Sequence, residues 1–222
     1  MQRREFITLV GGAAAALPVV ASAQQPRPVI GFLHQGSLPT TPSRTAFRKG
    51  LVEAGIGEGS TVTIEDRPAD GRYDRLPALA ADLVSRNVSV IAADFLPAAL
   101  AAKAATPEIP IVFLSGSDPI GSGLVSSINR PTGNVTGIAF MFTRLGAKNL
   151  ELLRELVPRA TVIAALSNPV NPNAEPQLND LRAAARALGL QLVTIGASND
   201  AEIDGAFVTL QQRQIEALII HR

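Results

Sequence analysis

Small polar residues and glycines follow several apolar stretches of the sequence, and their chemistry is that of hydrogen bonding to a ligand. The candidate binding residues in these loops are Ser37, Asp94, Ser115, Gly116, Ser117 and Asn168. In a parallel sheet, the carboxyl ends of the strands meet at one edge, where loops and helix N-termini converge on ligands. We therefore expect these residues to line one ligand site.

The segment from Ser115 to Pro119 is the most informative of these loops. Asp118 is a good N-cap residue and Pro119 a good first helical residue, so they predict a helix start. Free backbone amides between Ser117 and Ile120 would then suit a carboxylate or a phosphate. Asp118 would repel that anion if it faced the ligand; the alternative is that Asp118 only caps the helix.

Three further side chains each have two interpretations. Asp94 binds a ligand ammonium, or it is a solvated loop or cap carboxylate. Asn168 donates to and accepts from a zwitterion, or it only shapes an Asn-Pro turn. His34 contacts a ligand, or it packs in its loop. The sequence leaves all three alternatives open.

Signatures of catalysis are missing from the sequence. It has no GxxxxGK[ST] phosphate loop, no GxSxG nucleophile elbow and no HExxH metal motif. Cysteine is absent, and the only histidines, His34 and His221, have no serine-and-acid context for a triad. We therefore expect no catalytic residue, no metal and no cofactor.

The spacing of apolar residues predicts alternating strands and helices in the first half of the chain. This order is typical of a parallel sheet covered on both faces. We interpret residues 26–142 as one complete flavodoxin-like α/β lobe. The predicted strands are 28–34, 61–66, 88–93, 109–114 and 135–140, and the predicted helices begin at Thr41-Pro42 and span 74–87, 97–105 and 119–129.

The pattern restarts after a helix predicted at 144–157. Strands at 161–166, 190–195 and 215–220 alternate with a helix capped by Asn173 and a helix at 200–212. We interpret 143–159 as a connecting helix and 160–222 as a partial second α/β lobe.

The N-terminus predicts an export signal. Arg3 and Arg4 begin a charged start, an Ala/Gly-rich apolar stretch follows, and a small-residue site ends at Ala23. This layout is typical of a twin-arginine signal peptide over residues 1–23, cleaved after Ala23. A transmembrane anchor needs about 20 strongly apolar residues, and Pro18 interrupts this stretch. We expect a periplasmic protein.

The charge balance argues against a nucleic acid or an anionic membrane surface as a partner. The formal net charge is +1, and removal of the predicted signal leaves 18 basic and 18 acidic side chains. Binding of polyanions needs a strongly basic surface.

Several longer segments match one family of proteins. They are IGFL at 30–33, YDRLPALA at 73–80, IPIVF at 109–113, NRPTGNVTG at 129–137 and NPVNPNA at 168–174. Through these segments the sequence resembles the solute-binding proteins of ABC transporters over essentially its whole length.

The resemblance implies a two-lobed fold, like that of periplasmic binding proteins, which closes by a hinge on a small solute. It implies a monomer without enzymatic activity that delivers an amino-acid-like, small aromatic or amide compound to a membrane permease and indirectly to its ATPase. The implied ligand contacts are Ser37, the Asp94 loop, Ser115 to Ser117 and Asn168.

Two features depart from the family pattern. The loop after the third strand is usually rich in Gly and Thr, whereas this chain has Asp94 and Phe95 there. Family members also continue well beyond Ile220, so we expect a truncated chain with an incomplete, marginally stable second lobe and impaired function.

Two other function classes stay open at this point. A secreted α/β hydrolase or isomerase is suggested by the predicted fold and by serines at strand ends, although an acid–base pair is missing. A ligand-sensing module for a receptor fits the sequence as well as a transport component does.

Overall fold

Two parallel β-sheets with helices packed on them form the part of the chain that the structure describes. The structure is a computed structural model and describes residues 27–37, 42–131, 133–140 and 145–221. The first sheet has the strand order β2-β1-β3-β4-β5. Its strands are β1 Val29–His34, β2 Thr63–Pro68, β3 Val90–Asp94, β4 Ile111–Ser115 and β5 Val135–Ala139, and its helices are α1 Pro42–Glu53, α2 Leu76–Ser85 and α3 Leu96–Ala105.

The second sheet has three parallel strands in the order β7-β6-β8. Its elements are α4 Gly146–Leu156, β6 Val162–Ser167, α5 Ala174–Ala187, β7 Gln191–Gly196, α6 Asp200–Gln212 and β8 Ala217–His221. The predicted fold class, one five-stranded α/β lobe followed by a smaller one, is confirmed.

The central strands are buried because helices cover both faces of the first sheet. On one face, α2 and α3 pack on alternate strand residues such as Leu33, Ile91 and Ile111. On the other face, α1 packs on the intervening residues, among them Phe32. Strands covered on both faces have near-continuous apolar sequences, which is why β1 and β3 are recognisable in the sequence.

Helix α1 is held to the sheet by ion pairs in addition to partly buried apolar side chains, and none of its residues is buried. Arg44 donates from Nε to Oδ1 of Asp66 at 2.7 Å, and Arg48 donates to Asp66 and to Glu58. Burial by itself would raise the pKa of Asp66, but the bonds from both arginines bring that pKa below its ordinary value. Phe47 adds a ring stacked on a β1 phenylalanine at a centroid distance of 5.0 Å. This clamp fixes the start of α1 beside the sheet edge.

The prediction of a helix at 119–129 is wrong, because this segment forms turns. The Asp118 carboxylate accepts from the amides of Ile120 and Gly121, at 2.9 and 3.1 Å, and so closes a local turn. Gly123 follows with φ of 72°, a left-handed conformation that ends helices. Asp118 therefore caps a turn and no helix.

Several other sequence predictions need correction or lie outside the described residues. Asn173 precedes α5, but its side chain does not cap the helix. Instead, the backbone amide of Asn173 donates to Oδ1 of Asn171 at 3.0 Å. The Asn-Pro turn therefore organises the start of α5. The signal peptide at 1–23 and the cap at Thr41 fall outside the described residues. Among the described residues, no helix is long and apolar enough to cross a membrane.

A pair of glycine substitutions tests the packing of β5 against β4. A Cβ on Gly137 would overlap the carbonyl oxygen of Phe113, whereas a Cβ on Gly50 in α1 would meet no atom within 4 Å. We expect Gly137→Ala to lower the free energy of unfolding by about 1–3 kcal/mol. Gly50→Ala should raise it by up to about 1 kcal/mol, because alanine favours helix. Urea unfolding of both variants measures the difference, and equal stabilities would contradict the packing described.

Candidate functional site

Three buried polar side chains end neighbouring strands at the carboxyl edge of the first sheet. His34 ends β1, Asp94 ends β3 and Ser115 ends β4. Their exposed fractions are 0%, 5% and 0%. The register pairs His34 with Asp94 across the β1–β3 interface, so both side chains lie on the same face of the sheet. The edge predicted from the sequence therefore holds these residues.

Asp94 is a buried carboxylate, and only one of its two oxygens accepts a hydrogen bond from the described residues. Its Oδ2 accepts from the hydroxyl of Ser43 at 2.6 Å, while its Oδ1 has no partner among the described residues. Burial raises the pKa of Asp94, and the Ser43 bond only partly opposes this. The alternative of a solvated loop or cap carboxylate is wrong, because Asp94 is the last strand residue and Phe95 occupies the N-cap position of α3.

Phe95 has a strained backbone directly after that carboxylate. Its φ of 69° and ψ of 162° lie in a region that is essentially restricted to glycine. Its amide donates to the carbonyl of Leu114 at 2.8 Å, and its carbonyl accepts from the amide of Ala99 at 3.1 Å. Such conformations cost about 1–3 kcal/mol and cluster at ligand clamps. The strained residue thus directly follows the buried carboxylate at the end of β3.

His34 is packed beneath the site as a neutral imidazole. Neither ring nitrogen has a hydrogen-bond partner among the described residues, and the ring lies 5.2 Å from that of Phe32. Burial lowers the pKa of His34, and the nearby Asp66 carboxylate only partly offsets this. The histidine is therefore uncharged at neutral pH, with one nitrogen able to accept and the other to donate.

The loop from Ser115 to Ser117 is folded back on itself. The amide of Ser117 donates to Oγ of Ser115 at 3.0 Å, with Gly116 half-buried between them. The amide of Ile120 is bonded to Asp118. The expectation of free amides for an anion in this loop is thus wrong for both Ser117 and Ile120.

Gln177 brings the second lobe into contact with this loop. Its Nε2 donates to Oγ of Ser117 at 3.3 Å, its Oε1 has no partner among the described residues, and it is 9% exposed. Gln177 and Ser43 were missed at the level of sequence. Gln177 carried a signal, since it lies on the buried face of α5 beside Leu178 and Leu181. Ser43 carried none.

Two predicted site residues do not join this cluster. Oδ1 of Asn168 accepts from the amide of Val170 at 3.1 Å, so the side chain shapes the Asn-Pro turn. Ser37 is exposed beyond β1, next to residues 38–41 outside the described part. Their roles in ligand binding stay predictions.

Two surface depressions lie apart from the buried polar cluster. One of about 390 Å³ is at the carboxyl ends of β6 and β7, and one of about 490 Å³ is at the opposite edge of the first sheet. We place the candidate site at the buried polar atoms that have no hydrogen-bond partner among the described residues, because a ligand could supply those partners. The larger depression lies away from these atoms. The smaller depression is lined by residues that include Ser167, Pro169, Asn171, Glu175 and Thr194, and the larger depression by residues that include Pro107, Glu108, Pro131 and Asn134.

Among the described residues, no group of three or more side chains that could bind a metal ion lies together.

Comparison with known proteins identifies the family. Residues 29–221 match the model of the ABC transporter substrate binding protein family, and the chain belongs to it. It is 30% identical over 168 residues to the tyrosine-binding protein of Clostridioides difficile strain R20291, a match that covers 76% of this chain and 48% of the relative. The chain thus spans about half the length of this curated relative.

Solved structures share the same fold. The ABC domain in complex with L-Trp from Streptococcus pneumoniae superposes with a TM-score of 0.71 at 26% identity, covering 88% of this chain and 65% of that one. The leucine-binding protein LivK of Thermotoga maritima gives a TM-score of 0.63 at 14% identity, covering 87% and 55%, and supports the fold alone. Family and neighbours are substrate-binding transport proteins.

The burial of Asp94 predicts a pH-dependent stability. Because burial raises the folded-state pKa, the charged carboxylate destabilises the fold at neutral pH. Below the unfolded-state pKa of about 3.9 the group is protonated in both states and this penalty is absent. We expect Asp94→Asn to raise the Tm by about 2–4 °C near neutral pH, with the gain shrinking as pH falls toward about 4. Thermal unfolding of both proteins over this range measures the difference.

The control for that series is Asp70→Asn. Asp70 is exposed, pairs with Arg75 at 2.8 Å and has a φ of 55°, which asparagine tolerates. Its Tm should follow the wild type at every pH. An Asp94→Asn variant that is less stable than the wild type at neutral pH would contradict the described burial.

Proposed function

We propose that this protein is the substrate-binding component of an ABC importer and captures a small amino-acid-like solute. The observation that carries the proposal lies at the carboxyl edge of the first sheet. There, both ring nitrogens of His34 and Oδ1 of Asp94 are buried without a hydrogen-bond partner in the described part of the chain, and Gln177 of the second lobe contacts the adjoining loop. Buried polar groups are normally hydrogen-bonded. A solute with matching donors and acceptors would satisfy them.

The relatives support the amino-acid class of solute. One is a tyrosine-binding protein and another was solved with L-Trp. Identities of 30% and 26% leave room for a different specificity in this chain. Asp94 and Phe95, for which the sequence predicts a departure from the family pattern, are the residues on which such a difference would depend.

The protein acts without catalysis in this proposal. In the described part, Oγ of Ser115 bonds with the backbone of Ser117, and neither nitrogen of His34 contacts a serine. A serine nucleophile needs an adjacent base, so nothing in this geometry favours the hydrolase or isomerase alternative.

The organisation of the chain follows from the same proposal. In this proposal, residues 1–23 form a twin-arginine signal cleaved after Ala23 and residues 26–142 form the first lobe. Residues 143–159 form the connecting helix and residues 160–222 belong to the second lobe. The mature protein is a periplasmic monomer that delivers its solute to a permease and through it to the ATPase. It binds neither nucleic acid nor a cofactor.

Isothermal titration with a panel of solutes tests the proposal. We expect L-leucine, L-isoleucine, L-tryptophan or L-tyrosine to bind the full chain, with a matching rise in Tm. Simple aromatic acids and amides complete the panel. Absence of heat and of any thermal shift with every compound would overturn the proposed function.

Replacement of Gln177 tests whether the second lobe takes part. We expect Gln177→Ala to weaken binding of the best solute about tenfold, because one hydrogen-bonding group between the lobes is lost. The matched control is Gln211→Ala, an exposed glutamine on α6, which should bind like the wild type. Unchanged affinity in Gln177→Ala would limit the site to the first lobe.

A further inference from the structure

Asp94 is the one carboxylate of the described residues that is both buried and without an ionic partner. Asp66, the half-buried carboxylate on the same face of the first sheet, is compensated because it pairs with Arg44 and Arg48. Asp94 receives a single hydroxyl bond from Ser43. A buried charge without a counter-charge is expensive and is normally paired.

The missing partner of Asp94 has a defined chemistry. Because Oδ2 is engaged by Ser43, Oδ1 is the oxygen left to accept a hydrogen bond. His34, its neighbour in the register, also has nitrogens without partners, and one nitrogen of a neutral imidazole is an acceptor. Two neighbouring groups that can accept hydrogen bonds, one of them an anion, match a protonated amine, which has three donors and a positive charge.

We infer that Asp94 is the subsite for a protonated amine of the solute, with His34 beside it as a second acceptor, so that amines bind and amine-free acids and amides do not. This inference rests on the proposed function and narrows its solute class. The amine is either the α-ammonium of an amino acid or a cationic group on a side chain.

A purely structural carboxylate is the competing interpretation. Asp94 lies just before α3, where the positive end of the helix dipole favours an anion. Its carboxylate nevertheless accepts no hydrogen bond from the amides of α3. Ser43 is its only hydrogen-bond donor among the described residues. The helix therefore leaves Oδ1 without a donor.

Binding of matched solute sets to the full chain distinguishes these interpretations. The first set is L-leucine, isoamylamine and 4-methylvalerate, and the second is L-tryptophan, tryptamine and indole-3-propionate; L-arginine and agmatine report on a side-chain cation. We expect each amine-free acid to bind far more weakly than its amino acid. Tight binding of agmatine but not of isoamylamine would assign the subsite to a side-chain cation.

Neutralisation of the carboxylate is the decisive step. Asp94→Asn keeps the shape of the side chain and should weaken amine binding by at least about 30-fold, because the buried ligand cation loses its counter-charge. Asp204→Asn, at an exposed carboxylate on α6 far from the pair, is the matched control and should stay within about twofold of the wild type. The affinity of the wild type for L-leucine should also fall as pH decreases, since Asp94 becomes protonated and loses its charge. Asp66, Arg44 and Asp70 are the other charged groups that face the pair, and the arginine bonds hold the pKa of Asp66 below its ordinary value. Protonation of His34 would also weaken the binding of an amine.

The outcomes separate this inference from the proposed function. Equal binding of amine-free acids and amino acids to the wild type, or unchanged amine affinity in Asp94→Asn, overturns the inference and leaves the proposed function standing. If Asp94→Asn fails to fold, an affinity of the wild type for L-leucine that does not change with pH overturns it. A wild type that binds no compound of the panel overturns both.

Discussion

The parallel pairing of β1 with β3 is the constraint on which the rest of the site depends. It sets His34 beside Asp94 at the end of both strands and directs the two side chains to the same face. Backbone hydrogen bonding fixes this register, so the two polar groups are buried by the sheet whether or not they have partners. A strand that ended one residue earlier would leave Asp94 in the loop and in water.

Helix α1 completes the same arrangement from outside the sheet. The position of α1 on the sheet depends on Arg44, Arg48 and Asp66, and the hydrogen bonds among these side chains offset the cost of burying them. Because that clamp positions the start of α1, Ser43 reaches Asp94 and engages one of its two oxygens. With Glu58, which pairs with Arg48, the clamp has two positive and two negative groups. Asp94 has no ionic partner among the described residues at this edge.

The fold was largely predictable from the sequence, because buried parallel strands and amphipathic helices leave clear patterns. The helix at 119–129 was mispredicted because Asp118 favours a local turn as readily as a helix cap. The site was predicted in part. Asp94 and Ser115 follow from the ends of the strands, whereas the contact between Gln177 and Ser117 joins residues 60 positions apart. A glutamine on the apolar face of α5 signals a buried partner, but only the structure identifies it.

The unsatisfied atoms and the strained loop have a common physical reading. Asp94 without a counter-charge and Phe95 in a conformation suited to glycine both reduce the stability of the ligand-free protein. Neither is needed to build the sheet, since β3 and β4 pair through their backbones regardless of those side chains. Under the proposed function, a solute that supplied the missing partner would recover part of this lost stability as binding free energy. In that case the cost of the unpaired Asp94 carboxylate would favour solutes with a group that can pair with it, and so would contribute to the selectivity of binding.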